Sequence, residues 1–366
     1  MESNIAFVLN YAPHYREFIL KKIDQELNAD LYFGNIPNSS IKKLDLKELS
    51  NFKKEFRTLS FGPFLWYVGV LKLLLMPYKN YVITGDLKIL PNWFILIYCK
   101  LTGKKTYLWT HGWYGREKTY QKLIKKAFYK MASGVLLYGD YAKSLMIKEG
   151  FSEKKLIPIY NSLDYDLQLK VRHSLSVSSI YRNHFGNNHP VVIFIGRIQK
   201  AKKIDMLLEA VKKLRDEGVL VNVVLLGDVV QEFDIQSLID KFELKNQVWL
   251  YGASYDEKIN GELLYNAAMC VSPGNVGLTA IHSLMYGTPV ITHNNYPNQM
   301  PEFETIQEGV NGSFFKENDI DDMADKIRYL LQHPLKKEDC WRIIDEKWNP
   351  EYQIKTIRNT LNDNSH

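Results

Sequence analysis

Cysteine is scarce in this chain, and long apolar runs are missing. Its three cysteines, Cys99, Cys270 and Cys340, have neither metal-ligand spacing nor the numbers for a disulfide framework. That argues against a zinc module or a stapled secreted scaffold and for a reducing compartment, with the three thiols as small buried hydrophobes. The longest apolar stretches, residues 64–71 and 93–99, fall well short of the roughly 20 residues a bilayer crossing needs. No positively charged leader or cleavage site precedes the first strand-like run, since Glu2 stands where a leader's charge would be, so a cytoplasmic protein is expected. Low-complexity segments and internal repeats are also absent, which argues against disorder and repeat arrays. What remains is a 366-residue chain, 46% apolar, long enough for about two domains with real cores.

Charge is unevenly divided along it. Residues 1–164 carry 25 Lys and Arg against 14 Asp and Glu, whereas residues 165–366 carry 22 against 27. A basic front half on an acidic back half implies that the front half meets the anionic partner or surface.

Strand-like runs alternate with helical ones throughout. In the front half they fall at residues 5–9, 31–33, 81–84, 105–110 and 134–138, and in the back half at 191–195, 221–226, 247–251 and 269–271, with another beginning at Pro289. This is the rhythm of parallel α/β sheets. In such sheets ligands sit beyond the carboxyl ends of the strands, which brings residues 11–16, Gly85-Asp86, His111-Gly112-Trp113 and Tyr138-Gly139 to one edge. A polar stretch ending at Phe185-Gly186-Asn187-Asn188-His189-Pro190 marks a hinge. The expected division is therefore 1–164, a linker at 165–189, a second domain at 190–340 and a terminal helical segment at 341–366.

One stretch of the back half is organised to meet an anion. After the strand ending at Val271 come Ser272-Pro273-Gly274-Asn275-Val276-Gly277-Leu278-Thr279, then a short helix with Leu278, Ile281, Leu284 and Met285 at helical spacing. Its first N–H groups lack partners within the helix, so a phosphate suits it, although any α/β turn has this form. Arg197 and Lys202 lie just past another strand end, where guanidinium and ammonium groups can clamp a diphosphate. Lys200 and Lys203 are close enough to take the same part.

Several of these features together resemble the retaining nucleotide-sugar glycosyltransferases of the GT-B architecture, glycosyltransferase family four. They are the closing segment 157–164, Gly196-Arg197 with Lys202 five residues on, Leu226-Gly227, Tyr251-Gly252, the run from Ser272 through Gly277-Leu278 to Gly287-Thr288-Pro289-Val290, Pro301-Glu302, and Glu308-Gly309-Val310-Asn311-Gly312. The resemblance is specific over residues 191–331 and rests on topology before Asp164.

It implies two Rossmann-like parallel-sheet domains facing across a cleft, the acceptor on the first, the nucleotide-sugar donor on the second, and the final helix packed back on the first. Donor contacts are then expected from Arg197, Lys202, Gly252, Asn275, Val276, Gly277, Leu278, Thr279 and His282. Lys202 is preferred over its neighbours on its spacing from the arginine. His111 is expected near the anomeric carbon as the catalytic side chain, with His14 and Arg16 on the acceptor side. No cofactor and no divalent metal are expected, since neither loop of the cleft carries an Asp-x-Asp pair. The Asp164-Tyr165-Asp166 spacing follows the domain closure and reads as solvated hinge.

The chain departs from the family where two glutamates eight residues apart are usual: here stand Gly274 and His282. His282 offers one hydrogen bond to a ribose but not a carboxylate's paired acceptors. Donor-hydroxyl recognition is therefore expected to differ, toward a deoxy or amino sugar, with Asn275 or Glu302 compensating.

The expected activity is transfer of a sugar to a glycan or polyprenyl-diphosphate-linked glycan in bacterial surface polysaccharide synthesis. Lys118, Lys122, Lys125 and Lys126 on one helical face, with the aromatics at 64–67 and 93–94, suggest docking on an anionic membrane at the inner face of the cell membrane. Two rivals are weighed. A nucleic-acid-binding protein needs basic and aromatic residues interleaved on strands, which are not found. A sugar-nucleotide epimerase of the same shape needs cleft carboxylates, which are scarce in sequence around Gly274 and His282.

Overall fold

The segments Ile5–Leu9 and Val191–Ile195 are uninterrupted apolar runs, as suits strands covered on both faces. The computed structural model describes residues 3–35, 42–230 and 233–363. The chain divides into two compact units, the first made of Met1–Leu163 with Pro350–His366, the second of Asp164–Asn349.

In the first unit, β1 (Ile5–Leu9), β2 (Asp30–Gly34) and β3 (Phe52–Phe56) are followed by a hairpin of β4 (Thr58–Phe61) and β5 (Phe64–Tyr67). Then come β6 (Asn80–Thr84), β7 (Lys105–Thr110), β8 (Gly134–Leu137) and β9 (Leu156–Pro158). The main sheet is seven-stranded in the order β3-β2-β1-β6-β7-β8-β9, and every neighbouring pair is parallel. Alternate side chains of β1 feed two cores. Ile5, Phe7 and Leu9 pack with Ile19, Leu20 and Ile23 of helix Glu17–Glu26 and with Ile354 and Ile357 of helix Pro350–Asn362. Ala6 and Val8 point the other way, into a core shared with helices Leu90–Thr102 and Thr119–Lys130 and with the hairpin residue Tyr67. The hairpin turns on Gly62-Pro63. Gly62 has φ +58°, which a side chain would resist, and that lets two residues close the strands.

The second unit opens with helices Tyr165–Ser174 and Ile180–Phe185, so the stretch read as a linker is mostly helical. Asp164 caps the first of them, accepting from the Leu167 N–H at 3.1 Å. Arg172 then grips Asp345 at 2.9 Å while its guanidinium lies over Trp341. Six strands follow: β10 (Val191–Ile195), β11 (Asn222–Leu226), β12 (Val248–Gly252), β13 (Met269–Ser272), β14 (Val290–His293) and β15 (Gly312–Phe315). Their order is β12-β11-β10-β13-β14-β15, again all parallel. Helix Ile204–Asp216 buries Ile204, Leu207, Leu208, Val211 and Leu214, a 3.6-residue stripe, and packs beside helix Ile320–Gln332, which Asp319 caps. Cys99, Cys270 and Cys340 are free thiols, all buried.

Candidate functional site

Strand order in the second sheet reverses at β10, which has β11 on one side and β13 on the other. The connections leaving β10 and β13 therefore diverge, opening a crevice beyond their carboxyl ends. Thr279 holds the two sides in register, its hydroxyl donating to the Ile195 carbonyl at the end of β10 at 2.8 Å.

Lys202 ends the short 3-10 turn Lys200–Lys202 after β10 and reaches across to the loop after β13. Its Nζ donates to the Asn275 carbonyl at 2.6 Å and to Asn275 Oδ1 at 2.7 Å. An ammonium has three N–H bonds, so one stays available to a ligand. Burial lowers the Lys202 pKa to about 8, with Glu302 opposing the shift and Arg197 adding to it. Arg197 is exposed, yet close enough for its charge to be felt. A buried ammonium beside a guanidinium makes a site in which an anion would be stabilised.

Gly274, where the resemblance leads one to expect a carboxylate, has no room for a side chain. A Cβ there would lie 2.3 Å from the Ala201 carbonyl oxygen and 2.9 Å from Lys202 Cα. The 3-10 turn occupies the space, and the Gly274 N–H donates to the Lys202 carbonyl at 3.1 Å. The loss of the side chain and the placement of Lys202 are thus one feature. Asn275, expected to compensate, spends its side-chain oxygen on Lys202. Glu302 is buried and acts on Lys202 through its charge.

The remaining expected donor contacts separate into two groups. Gly277, Leu278 and Thr279 lead into the helix Thr279–Met285, but the Val276 N–H is already bonded to Gln299 Oε1 at 2.9 Å. Gly252 ends β12, two strands from the crevice, and its carbonyl accepts from the Gly227 N–H at 2.8 Å.

His282 does not stand alone. Its Nε2 is 2.9 Å from Glu257 Oε1, an oxygen that also accepts from Tyr286 at 2.7 Å and Gln168 at 3.0 Å. Burial pushes the Glu257 carboxyl up, but these partners outweigh it and hold its pKa below the ordinary value. Sequence reading missed Glu257 and Gln299 because both arrive from other βα segments. It also took carboxylates to be scarce here, and the fold corrects that by bringing Glu257 to His282 and Glu302 near Lys202.

In the first unit the carboxyl ends of β1, β6 and β7 border a cavity of about 400 Å³ lined by Asn10, Arg16, Asp86, Trp109, His111 and Tyr138, among others. His111 follows the end of β7 and is in contact with Tyr138 (ring centroids 4.6 Å) and Tyr114 (5.9 Å). Its Nδ1 is buried without a hydrogen-bond partner among the described residues. Burial, reinforced by Arg16 and Lys125, lowers its pKa to about 4, so it is neutral at pH 7. Arg16 lies over the rings of Trp109 and Tyr138 and donates to the Tyr138 hydroxyl, while its Nε is buried and also lacks a partner among the described residues. His14, two residues earlier, is instead bonded to the Lys42 carbonyl at 3.2 Å and does not line this cavity. The structure thus brings Arg16 and His111 together and leaves His14 outside.

Comparison with known proteins joins this geometry to a family. Residues 180–347 match the model of the Glycosyl transferases group 1 family. That match spans the whole β10-to-β15 sheet. A protein of the cps region of Klebsiella pneumoniae is 23% identical over 240 residues, 64% of this chain and 62% of its own length. The alpha-D-kanosaminyltransferase of Streptomyces kanamyceticus is 23% identical over 57% of this chain and 54% of its own. The chain therefore spans less than two thirds of these curated relatives. Among solved structures, a glycosyltransferase from Rickettsia africae superposes with a TM-score of 0.75 at 16% identity, covering 100% of both chains. Anabaena HepE in complex with UDP gives 0.73 at 15% identity, covering 98% of this chain and 99% of its own. The expected two-domain α/β fold is the one these structures share.

Proposed function

We propose that the protein is a glycosyltransferase that moves a sugar from a nucleoside-diphosphate donor to a glycan or polyprenyl-diphosphate-linked glycan during synthesis of a surface polysaccharide. The observation that carries this reading is the pair Arg197 and Lys202, a guanidinium and a buried ammonium at the switch-point crevice of the segment that matches the group 1 family. The kinds of relative support it: one belongs to a cps region, another is a kanosaminyltransferase, and a lipopolysaccharide outer core galactosyltransferase shares the fold with a TM-score of 0.69.

In such a transfer the bond between the anomeric carbon and the diphosphate oxygen breaks, and its electron pair stays on the diphosphate. The acceptor hydroxyl oxygen bonds to that carbon, and its proton passes to the departing diphosphate. Charge grows on the diphosphate, so Arg197 and the remaining N–H of Lys202 stabilise the transition state more than the ground state. Neutral His111 supplies one hydrogen bond at the sugar, and Arg16 serves the acceptor. Family-four membership, retention of configuration, independence from a divalent metal and the absence of any cofactor belong to the same proposal, as does a place at the inner face of the cell membrane. The test is release of nucleoside diphosphate from a panel of sugar nucleotides with a lipid-linked glycan, with and without EDTA. Acceptor-dependent release that survives EDTA supports the reading, and its absence with every donor opposes it.

Glu257 beside His282 favours a second reading, an epimerase acting on the sugar nucleotide alone, because a carboxylate and an imidazole can exchange a proton. Incubation with donor and no acceptor separates the two: an epimerised sugar nucleotide favours the epimerase.

A further inference from the structure

The apolar surface left exposed by the first unit is confined to one side of its sheet. On the side of helices Glu17–Glu26 and Pro350–Asn362, no large apolar side chain among the described residues is exposed. On the opposite side, helix Leu90–Thr102 shows Phe94, Ile97 and Leu101 to solvent, a stripe at i, i+3 and i+7 with Leu101 82% exposed. Helix Thr119–Lys130 shows a second stripe, Tyr120, Leu123 and Ile124, with Leu123 66% exposed. Phe61 and Phe64 at the hairpin tip, and Leu75 and Met76 at the end of the turn Val70–Leu75, are also exposed. These elements touch: Trp66 of the hairpin packs on Phe94 (5.8 Å), and Trp93 packs on Phe128 of the second helix (4.9 Å). Soluble surfaces rarely keep apolar side chains this concentrated without something to cover them.

The lysines of helix Thr119–Lys130 do not have the arrangement the sequence suggests. Lys122 and Lys126 both pair with Glu149, at 2.6 and 2.7 Å, and Lys125 pairs with Glu117 at 2.7 Å. They tie the helix to its own unit, and its apolar stripe is what faces outward. Of the four lysines read from sequence only Lys118 is exposed, and the exposed cations of this layer also include Lys72, Lys88, Lys100 and Lys130. Cations of one sign beside apolar stripes complement an anionic lipid surface and repel a second copy of themselves.

We propose that this layer of the first unit docks on an anionic bilayer. The stripes at 94/97/101 and 120/123/124 and the hairpin tip enter the interfacial zone, while the exposed lysines meet lipid headgroups. Apolar insertion supplies most of the binding, so high salt weakens it without abolishing it. The inference does not depend on glycosyl transfer, because its test reads lipid binding alone.

The test is sedimentation of the full chain with phosphatidylglycerol-containing vesicles and with phosphatidylcholine vesicles, at low and high salt. The protein is expected to sediment with the anionic vesicles and to retain a measurable fraction at high salt. The paired changes Phe94→Ser with Leu101→Ser, and Leu123→Ser with Ile124→Ser, should each lower partitioning about tenfold with an unchanged melting temperature, since the side chains are exposed. Lys100→Gln with Lys118→Gln should reduce the preference for anionic lipid. No sedimentation with either vesicle overturns the proposal. So does undiminished binding by both serine pairs, or a stable dimer that the serine pairs dissolve.

Discussion

The Lys202 ammonium bridges both oxygens of Asn275, the backbone carbonyl at 2.6 Å and the side chain at 2.7 Å. The buried cation is thereby held in place before any ligand arrives. A pKa near 8 means that the free protein loses this charge as pH rises through 8. Nucleoside-diphosphate affinity is therefore expected to fall between pH 7 and 9, with about one proton taken up on binding above pH 8. Calorimetry in buffers of different ionisation enthalpy reads that proton, and a pH-independent affinity would show that Lys202 does not meet the anion.

Gly274 leaves no room for a side chain against Ala201 and Lys202. Gly274→Ala should cost about 1–3 kcal/mol through overpacking, and Gly274→Glu should not restore a family-like site. Thermal unfolding checks the first, and an unchanged melting temperature would contradict the packing seen here.

Glu257 holds His282, Tyr286 and Gln168 through one oxygen. Glu257→Gln removes the ionised acceptor and should destabilise the second unit by about 1.5–3 kcal/mol while raising the donor KM more than it lowers kcat. Because the folded pKa lies below the ordinary 4.5, this stabilisation is present above 4.5 and is lost as pH falls through the folded value. A wild-type melting profile between pH 3 and 6 in the variant would refute it.

His111 has the opposite chemistry with the same consequence in acid. Its pKa falls from an ordinary 6.5 to about 4, so the unfolded chain takes up a proton that the folded chain refuses throughout that window. Stability is lost as pH drops, by about 2 kcal/mol at pH 5 from this residue. His293, also lowered to about 4 by burial, adds a loss of the same sign, so denaturant curves of wild type and His111→Gln must be compared. Equal acid sensitivity in the two proteins would contradict the burial of His111. His111→Ala should also cut turnover of a confirmed donor about 100-fold.

The interior strands were legible in sequence because burial on both faces demands runs such as Ile5-Ala6-Phe7-Val8-Leu9 and Val191-Val192-Ile193-Phe194-Ile195. Those missed in the two main sheets lie at their edges. β3 reads Phe-Lys-Lys-Glu-Phe, β9 is three residues ending in proline, and β15 begins with glycine, none of which carries an apolar run. The hairpin was hidden by treating residues 64–71 as one apolar stretch rather than a strand after the Gly62-Pro63 turn.

In the candidate site, Arg197, Lys202 and the turn after β13 could be placed in the fold because they follow strand ends that sequence can locate. Glu257, Gln299 and the Glu149 that pairs two lysines could not, since each comes from a different βα segment and no local pattern encodes the meeting. For the same reason helix Thr119–Lys130 was read with its lysines as the functional face, when tertiary ion pairs turn them inward.

The central claim is that a diphosphate binds against Arg197 and Lys202, and calorimetric titration with UDP, GDP and ADP beside their parent nucleosides tests it most directly. At least one diphosphate should bind at pH 7 while its nucleoside does not, and Lys202→Met and Arg197→Ala should each weaken that binding by about tenfold or more. If all three diphosphates fail to bind, or both variants bind as tightly as the wild type, the account is contradicted.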